Sequence, residues 1–282
     1  MINNNIDKHL DSRPAIKDNA WFDNLANRKK EEASFHDYIR SDEAITSNPD
    51  TQSNLKFYKI TKKSKDYVRK WLREHVIGKV FLDYACGEGR HSEDVLKNSS
   101  PRILIGLDIS PESVKICQDK ASNIKTKSKV YFVQGDCENT ELPDNSIDVI
   151  LCSEMLHHLN LKSAFKELYR ICDKGGLVFC CEALGINPII QWYRNRTPNM
   201  RTEYETHHIL TPKAFDIAKE VGFVVKEVKY WHLFAIPSAF LFKHKILFQI
   251  FLKIGNFLDS IFLKIPGLQK LAWQFTFILQ KQ

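Results

Sequence analysis

Val80-Phe81-Leu82-Asp83-Tyr84-Ala85-Cys86-Gly87-Glu88-Gly89-Arg90-His91 is the stretch whose reading decides the fold. A short apolar run closed by glycines reads as a buried parallel strand, and Ser92 to Asn98 reads as the helix after it. Gly87 and Gly89 lack a Cβ, so the turn between strand and helix can bring backbone N–H groups against a ligand. Asp83 falls at the carboxyl end of the strand, the edge at which open parallel sheets bind ligands.

Working outward, Arg102-Ile103-Leu104-Ile105-Gly106-Leu107-Asp108 is a second apolar run. It ends in an acid about 20 residues past the turn, the spacing at which a carboxylate grips a ribose diol. A dinucleotide fingerprint needs a third glycine where Ser92 stands, and an acid ahead of the loop repels a pyrophosphate while attracting a cationic ligand. A nicotinamide-dependent oxidoreductase is therefore the disfavoured alternative.

At this point the sequence resembles the class I, seven-strand S-adenosylmethionine (SAM) methyltransferases of the type 11-like kind. Their first motif, acid-x-Gly/Ala-x-Gly-x-Gly, is matched by Asp83 through Gly89, with Ala85 at the first glycine position. Two further matches follow in order. Gly135-Asp136-Cys137-Glu138 precedes Leu142-Pro143-Asp144-Asn145-Ser146-Ile147-Asp148, and Arg170-Ile171-Cys172-Asp173-Lys174-Gly175-Gly176 precedes a fifth strand. The resemblance implies SAM as cofactor, held by Asp83, Ala85, Cys86, Gly87 and Gly89, by Asp108 and Ile109, by Asp136 and Cys137 (Asp136 toward the adenine amino group), and by Ser153. It also implies contact from a residue before the first strand, here Tyr58.

The pattern beyond the motifs predicts an α/β fold: a doubly wound, mostly parallel seven-stranded sheet with an antiparallel last strand near Trp273–Leu279. Expected helices are Lys56–His75, Ser92–Asn98, Pro111–Ala121, Ser163–Cys172 and one from Pro212 to Val221. Expected strands include Lys129–Gln134, Ser146–Cys152, Leu177–Glu182 and Phe223–Trp231. Residues 1–78 read as an N-terminal helical extension, whose apolar spacing favours covering the core over forming a lid. Residues 79–282 read as the SAM-binding domain, with an acceptor-side insertion at 183–210 and an apolar, basic helical insertion at 232–272.

That second insertion is unusual. Lys245, Gln249, Lys253, Asn256, Ser260 and Lys264 draw a narrow polar stripe, and nearly everything between is large and apolar. The lysines interrupt the ~20-residue apolar run that a spanning helix needs. Expected uses of 238–270 are peripheral contact with a membrane, a lipid pocket, or packing in a homodimer, with both apolar flanks covered.

The net charge of +7 sits unevenly: from residue 232 onward there are six lysines against one acid. A basic character tied to apolar residues points to an anionic membrane surface before nucleic acid. No basic cleft with interleaved aromatics argues for a nucleic-acid substrate. Seven cysteines lie in or beside apolar runs without a Cys-x-x-Cys pair, so they read as buried thiols in a reducing, cytoplasmic setting, and no metal site is expected.

Methyl transfer needs positioning and, for an acceptor that loses a proton, a base. His157 and His158, after the fourth strand, are the catalytic candidates; they stand on different sides of a helix, so at most one faces the methyl group. Arg201, Glu205, His207 and His208 in the first insertion, with Tyr58, are the acceptor-side candidates. The expected function is methyl transfer to an oxygen of a small-molecule or lipid-like acceptor. The third alternative is a non-catalytic SAM-fold scaffold at a membrane surface.

Overall fold

The structure is a computed structural model that describes residues 4–39, 59–188, 191–192, 195–196 and 213–282. Its strands form one seven-stranded sheet ordered β3-β2-β1-β4-β5-β7-β6. They are β1 (Val80–Tyr84), β2 (Ile103–Asp108), β3 (Lys129–Gln134), β4 (Ile147–Ser153), β5 (Cys172–Ala183), β6 (Phe223–Trp231) and β7 (Gln274–Lys281). β7 runs antiparallel to both neighbours, and the β1–β5 pairings are parallel. The order reverses between β1 and β4, and such a switch point opens a crevice at the carboxyl edge.

The helices are α1 (Asn4–Ser12), α2 (Asn19–Asp23), α3 (Asn27–Ile39), α4 (Lys62–His75), α5 (Arg90–Asn98), α6 (Pro111–Ser122), α7 (Leu161–Ile171), α8 (Ala214–Val221) and α9 (Lys245–Phe262). Strand residues alternate between two cores. Leu82, Ile105, Ile150, Val178 and Phe277 face α1, α7 and α8, through Ile6, Leu10, Phe165, Leu168, Ala214 and Ala218. Phe81, Leu104, Leu151 and Phe179 face α4, α5 and α6, through Val68, Leu72, Val95, Val114 and Cys117. Both faces of β1 and β2 are therefore buried, which is why those strands read as unbroken apolar runs.

Several boundaries differ from the sequence pattern. Thr61 interrupts the helix expected over Lys56–His75, and α4 begins only at Lys62. The fifth strand starts at Cys172 and runs through Gly175-Gly176, because Ile147 pairs with Cys172 before a register shift. The N-terminal extension divides its work. α1 buries Ile6 and Leu10 in the core, whereas α3 lies over the ligand crevice and corrects the expectation of a simple core cover. The insertion at 232–272 forms a 3-10 turn, Ile236–Leu241, then α9 and a second 3-10 turn, Leu268–Leu271. Within the single chain one long apolar face of α9 is open to the outside.

Candidate functional site

A cavity of about 390 Å³ opens at the carboxyl ends of β1, β2 and β4. Of the expected cofactor residues, Asp83, Ala85, Cys86, Gly87, Asp108, Ile109, Asp136, Cys137 and Ser153 line it. Gly89 sits one step back as the N-cap of α5 with φ 71°, and a Cβ there would lie 2.7 Å from Cys117 Sγ. Ala85 itself has φ 57°, so the alanine occupies a left-handed conformation that glycine adopts without strain.

The carboxylates are held in place by backbone and hydroxyl donors. Ser92 donates its N–H (3.1 Å) and its hydroxyl (2.7 Å) to Asp83 Oδ2. Asp83 is nonetheless buried enough that desolvation, aided by the nearby Asp108 charge, pushes its pKa up to about 7. Asp108 accepts from the N–H of Gly87 (2.8 Å) and of Ser110 (3.0 Å), which fixes the glycine turn against the second strand. Asp136 accepts from the Glu138 N–H and pairs with Lys29 Nζ at 2.5 Å, so α3 is latched over the expected adenine end.

α3 supplies Arg28, Lys29, Glu32 and His36 to the wall, and α4 supplies Lys65 and Arg69. Polar spacing on α3 gave no sign of this, because these side chains face a cavity and not a core. His91, from the opening stretch, also lines the cavity; burial, then Arg69 and Lys65, push it down to about 4, so it is neutral. Lys65, Arg69 and His91 form an electropositive, donor-rich edge suited to a carboxylate. Glu154, after β4, is another residue missed in the sequence: it lines the cavity with φ 54° and accepts from Gln274 Nε2 at 2.7 Å.

The two candidate histidines part ways on the 3-10 turn Leu156–His158. His157 turns inward and its Nδ1 donates to Glu182 Oε2 at 2.8 Å. The fully buried Glu182 also accepts from the N–H groups of Met155 and Leu156, which marks His157 as part of a brace for the loop. His158 lines the cavity, with Nδ1 3.1 Å from Glu32 Oε2. His36 Nε2 is 3.7 Å from the same oxygen. One ligand atom from each of Glu32, His36 and His158 falls within 4.8 Å of the other two, so the trio can share protons or hold a divalent cation. Tyr58, Arg201, Glu205, His207 and His208 lie outside the described residues.

These residues fit SAM on structural grounds. A glycine turn with left-handed backbone, carboxylates at three strand tips and the cations Lys65 and Arg69 line one cavity. The volume falls within the range of small-molecule sites.

Residues 82–180 match the family Methyltransf_11, described as a methyltransferase domain. The demethylmenaquinone methyltransferase of Lactiplantibacillus plantarum is 29% identical over 119 residues, 40% of this chain and 50% of that protein. The phthiotriol/phenolphthiotriol dimycocerosates methyltransferase 1 of Mycobacterium ulcerans is 31% identical over 116 residues, 41% of each chain. The chain thus spans half or less of the length of these curated relatives. Among solved structures, phosphoethanolamine N-methyltransferase 2 of Haemonchus contortus, in complex with SAM, superposes with a TM-score of 0.55 at 15% identity. That superposition covers 88% of this chain and 60% of the other, and shows the fold. Residues 82–180 thus match a methyltransferase domain, and the sheet order with its antiparallel last strand is that of the class I, Rossmann-like SAM-dependent methyltransferase fold.

Proposed function

We propose that this chain methylates an oxygen of a small-molecule or lipid-like acceptor with SAM as the donor. The observation that carries this reading is the meeting of three strand-tip carboxylates with His158 around one cavity. SAM, when bound, supplies an electrophilic methyl group on a sulfonium. In this reading Asp108 and Asp136 take the ribose and adenine, Asp83 the ammonium, and Lys65, Arg69 and His91 the carboxylate. His158, whose Nδ1 lies 3.1 Å from Glu32 Oε2, is the imidazole that takes the proton an acceptor hydroxyl loses. Glu32 is a positioning residue, since it acts through the imidazole.

Relatives named for demethylmenaquinone and for dimycocerosates support a lipid-like acceptor, as does the apolar insertion at 238–270, which suits peripheral contact with a membrane. The test is to incubate the pure protein with methyl-labelled SAM and a cell extract, then separate organic and aqueous phases. Label in the organic phase supports a lipid-like acceptor and label in the aqueous phase a polar one. If calorimetry detects no uptake of SAM or its demethylated product, the enzyme reading is lost.

A further inference from the structure

We propose that α9 lies flat in the headgroup region of an anionic bilayer, so that the methyl acceptor is drawn from the membrane. The inference deepens the proposed transfer by naming where its acceptor resides; the docking itself rests on α9 alone. α9 attaches to the protein by one narrow stripe. Phe248, Gly255 and Asp259 are buried, Asp259 accepts from the N–H groups of Leu233 (3.0 Å) and Phe234 (2.7 Å), and a Cβ on Gly255 would lie 2.5 Å from Phe234 O.

The opposite face is open and apolar. Ile246 is 77% exposed, Phe257 64%, Phe251 and Ile254 each 50%, and Phe240 in the preceding turn 88%. At about 100° per residue the exposed Ile246, Leu247, Ile250, Phe251, Ile254, Phe257 and Ile261 share one arc. Exposed Lys253 borders that arc on one side, and exposed Lys245 and Lys264 stand at the two ends of the helix. An apolar arc with cations at its margin is the pattern of a helix that lies in an interface. Among the described residues no helix is long and apolar enough to cross a membrane.

Charge selects this occupant over a second copy. From 245 to 265 the single acid is Asp259, which is buried, so two identical faces packed together would offer their lysines no exposed carboxylate from this segment. An anionic headgroup layer supplies that partner. Topology then places the docked face beside the cleft. Trp231 and Ala183 both pair with Gln274, so the insertion leaves the sheet at the carboxyl edge that carries the cavity. Gln274 bonds Glu154 of the cavity wall, and Ser64 joins Gln274 to His232 at the root of the insertion.

The experiment is sedimentation of the full chain with phosphatidylcholine vesicles, with or without phosphatidylglycerol. The chain is expected to sediment with the anionic vesicles. Partitioning should fall roughly tenfold or more in Lys253→Glu/Lys264→Glu and in Phe251→Asp/Phe257→Asp. All four side chains are exposed, so these variants should keep the wild-type melting temperature and SAM uptake. The proposal is overturned if the wild type stays in the supernatant, if it sediments equally without phosphatidylglycerol, or if both variants partition like the wild type. A concentration-dependent dimer that Phe251→Asp/Phe257→Asp disperses, without vesicle binding, gives the face to a second copy and also overturns it. Loss of SAM uptake with vesicle binding intact would remove the transfer reading and leave the docking, and the reverse would remove only the docking.

Discussion

Asp83 couples the proposed SAM site to pH. Its carboxyl, raised by burial to about 7 in the free protein, is protonated below that value and ionised above it. A cationic ligand prefers the carboxylate, so SAM affinity should rise as pH increases from 6 to 8, measured by titration calorimetry. For stability the sign is opposite: a raised carboxyl pKa favours the folded state at low pH, and that contribution is lost as pH climbs from the unfolded value toward 7. Asp83→Asn should therefore bind SAM weakly at every pH while melting about 2–5 °C higher than wild type at pH 8. The histidines separate in the same way. His158→Ala should lose about 10²–10⁴-fold in turnover with SAM affinity unchanged, because it removes the proposed base. His157→Ala should instead lose about 1–3 kcal/mol of stability in urea, since Glu182 keeps its two backbone donors but forfeits its imidazole partner. Equal effects of the two variants on turnover would remove the distinction. Ala85→Gly should gain about 1 kcal/mol in the same assay by relieving the left-handed alanine.

At the level of elements, α3 and α9 are the two helices whose tasks were hardest to read. The motif strands declared themselves because burial on both faces demands apolar residues at every position. α3 buries polar side chains against a cavity, so its sequence has no apolar stripe to betray it. α9 has a stripe, but two of the three buried residues that attach it are not large apolar ones: Gly255, for close approach, and Asp259, for two backbone N–H groups, beside Phe248. Gly255→Val should drive α9 off Phe234 and Ala235, and Asp259→Ala should leave the N–H groups of Leu233 and Phe234 without their carboxylate. Both variants should speed hydrogen exchange across 232–272 while leaving β1 to β4 protected. Unchanged exchange in that segment would show that α9 is held by other means.

For the whole molecule, acid sensitivity follows from groups buried neutral. His91 and His232 are pushed by burial down to about 4 and about 3, so the folded chain resists protons that the unfolded chain accepts below about 6.5. That stability is present above pH 6.5 and drains away as pH falls through the two lowered values, whereas Asp83 acts in the opposite sense between 7 and its unfolded value. Two histidines outweigh one carboxyl, so the melting temperature should drop steadily from pH 6.5 to pH 4.5 in the absence of ligand, read by scanning calorimetry. A flat profile over that interval would contradict the burial of both imidazoles.

The sequence by itself determined the sheet, its glycine turn and the carboxylates on three strand tips, because backbone turning and two-sided burial restrict residue types at fixed spacing. Only the tertiary structure decided that His158 and not His157 meets the cavity, that α3 brings Glu32 and His36 beside it, and that one apolar arc of α9 is left to the outside. Those outcomes depend on which elements arrive next to each other from distant parts of the chain. A local pattern of polar and apolar residues carries no record of the neighbour it will meet.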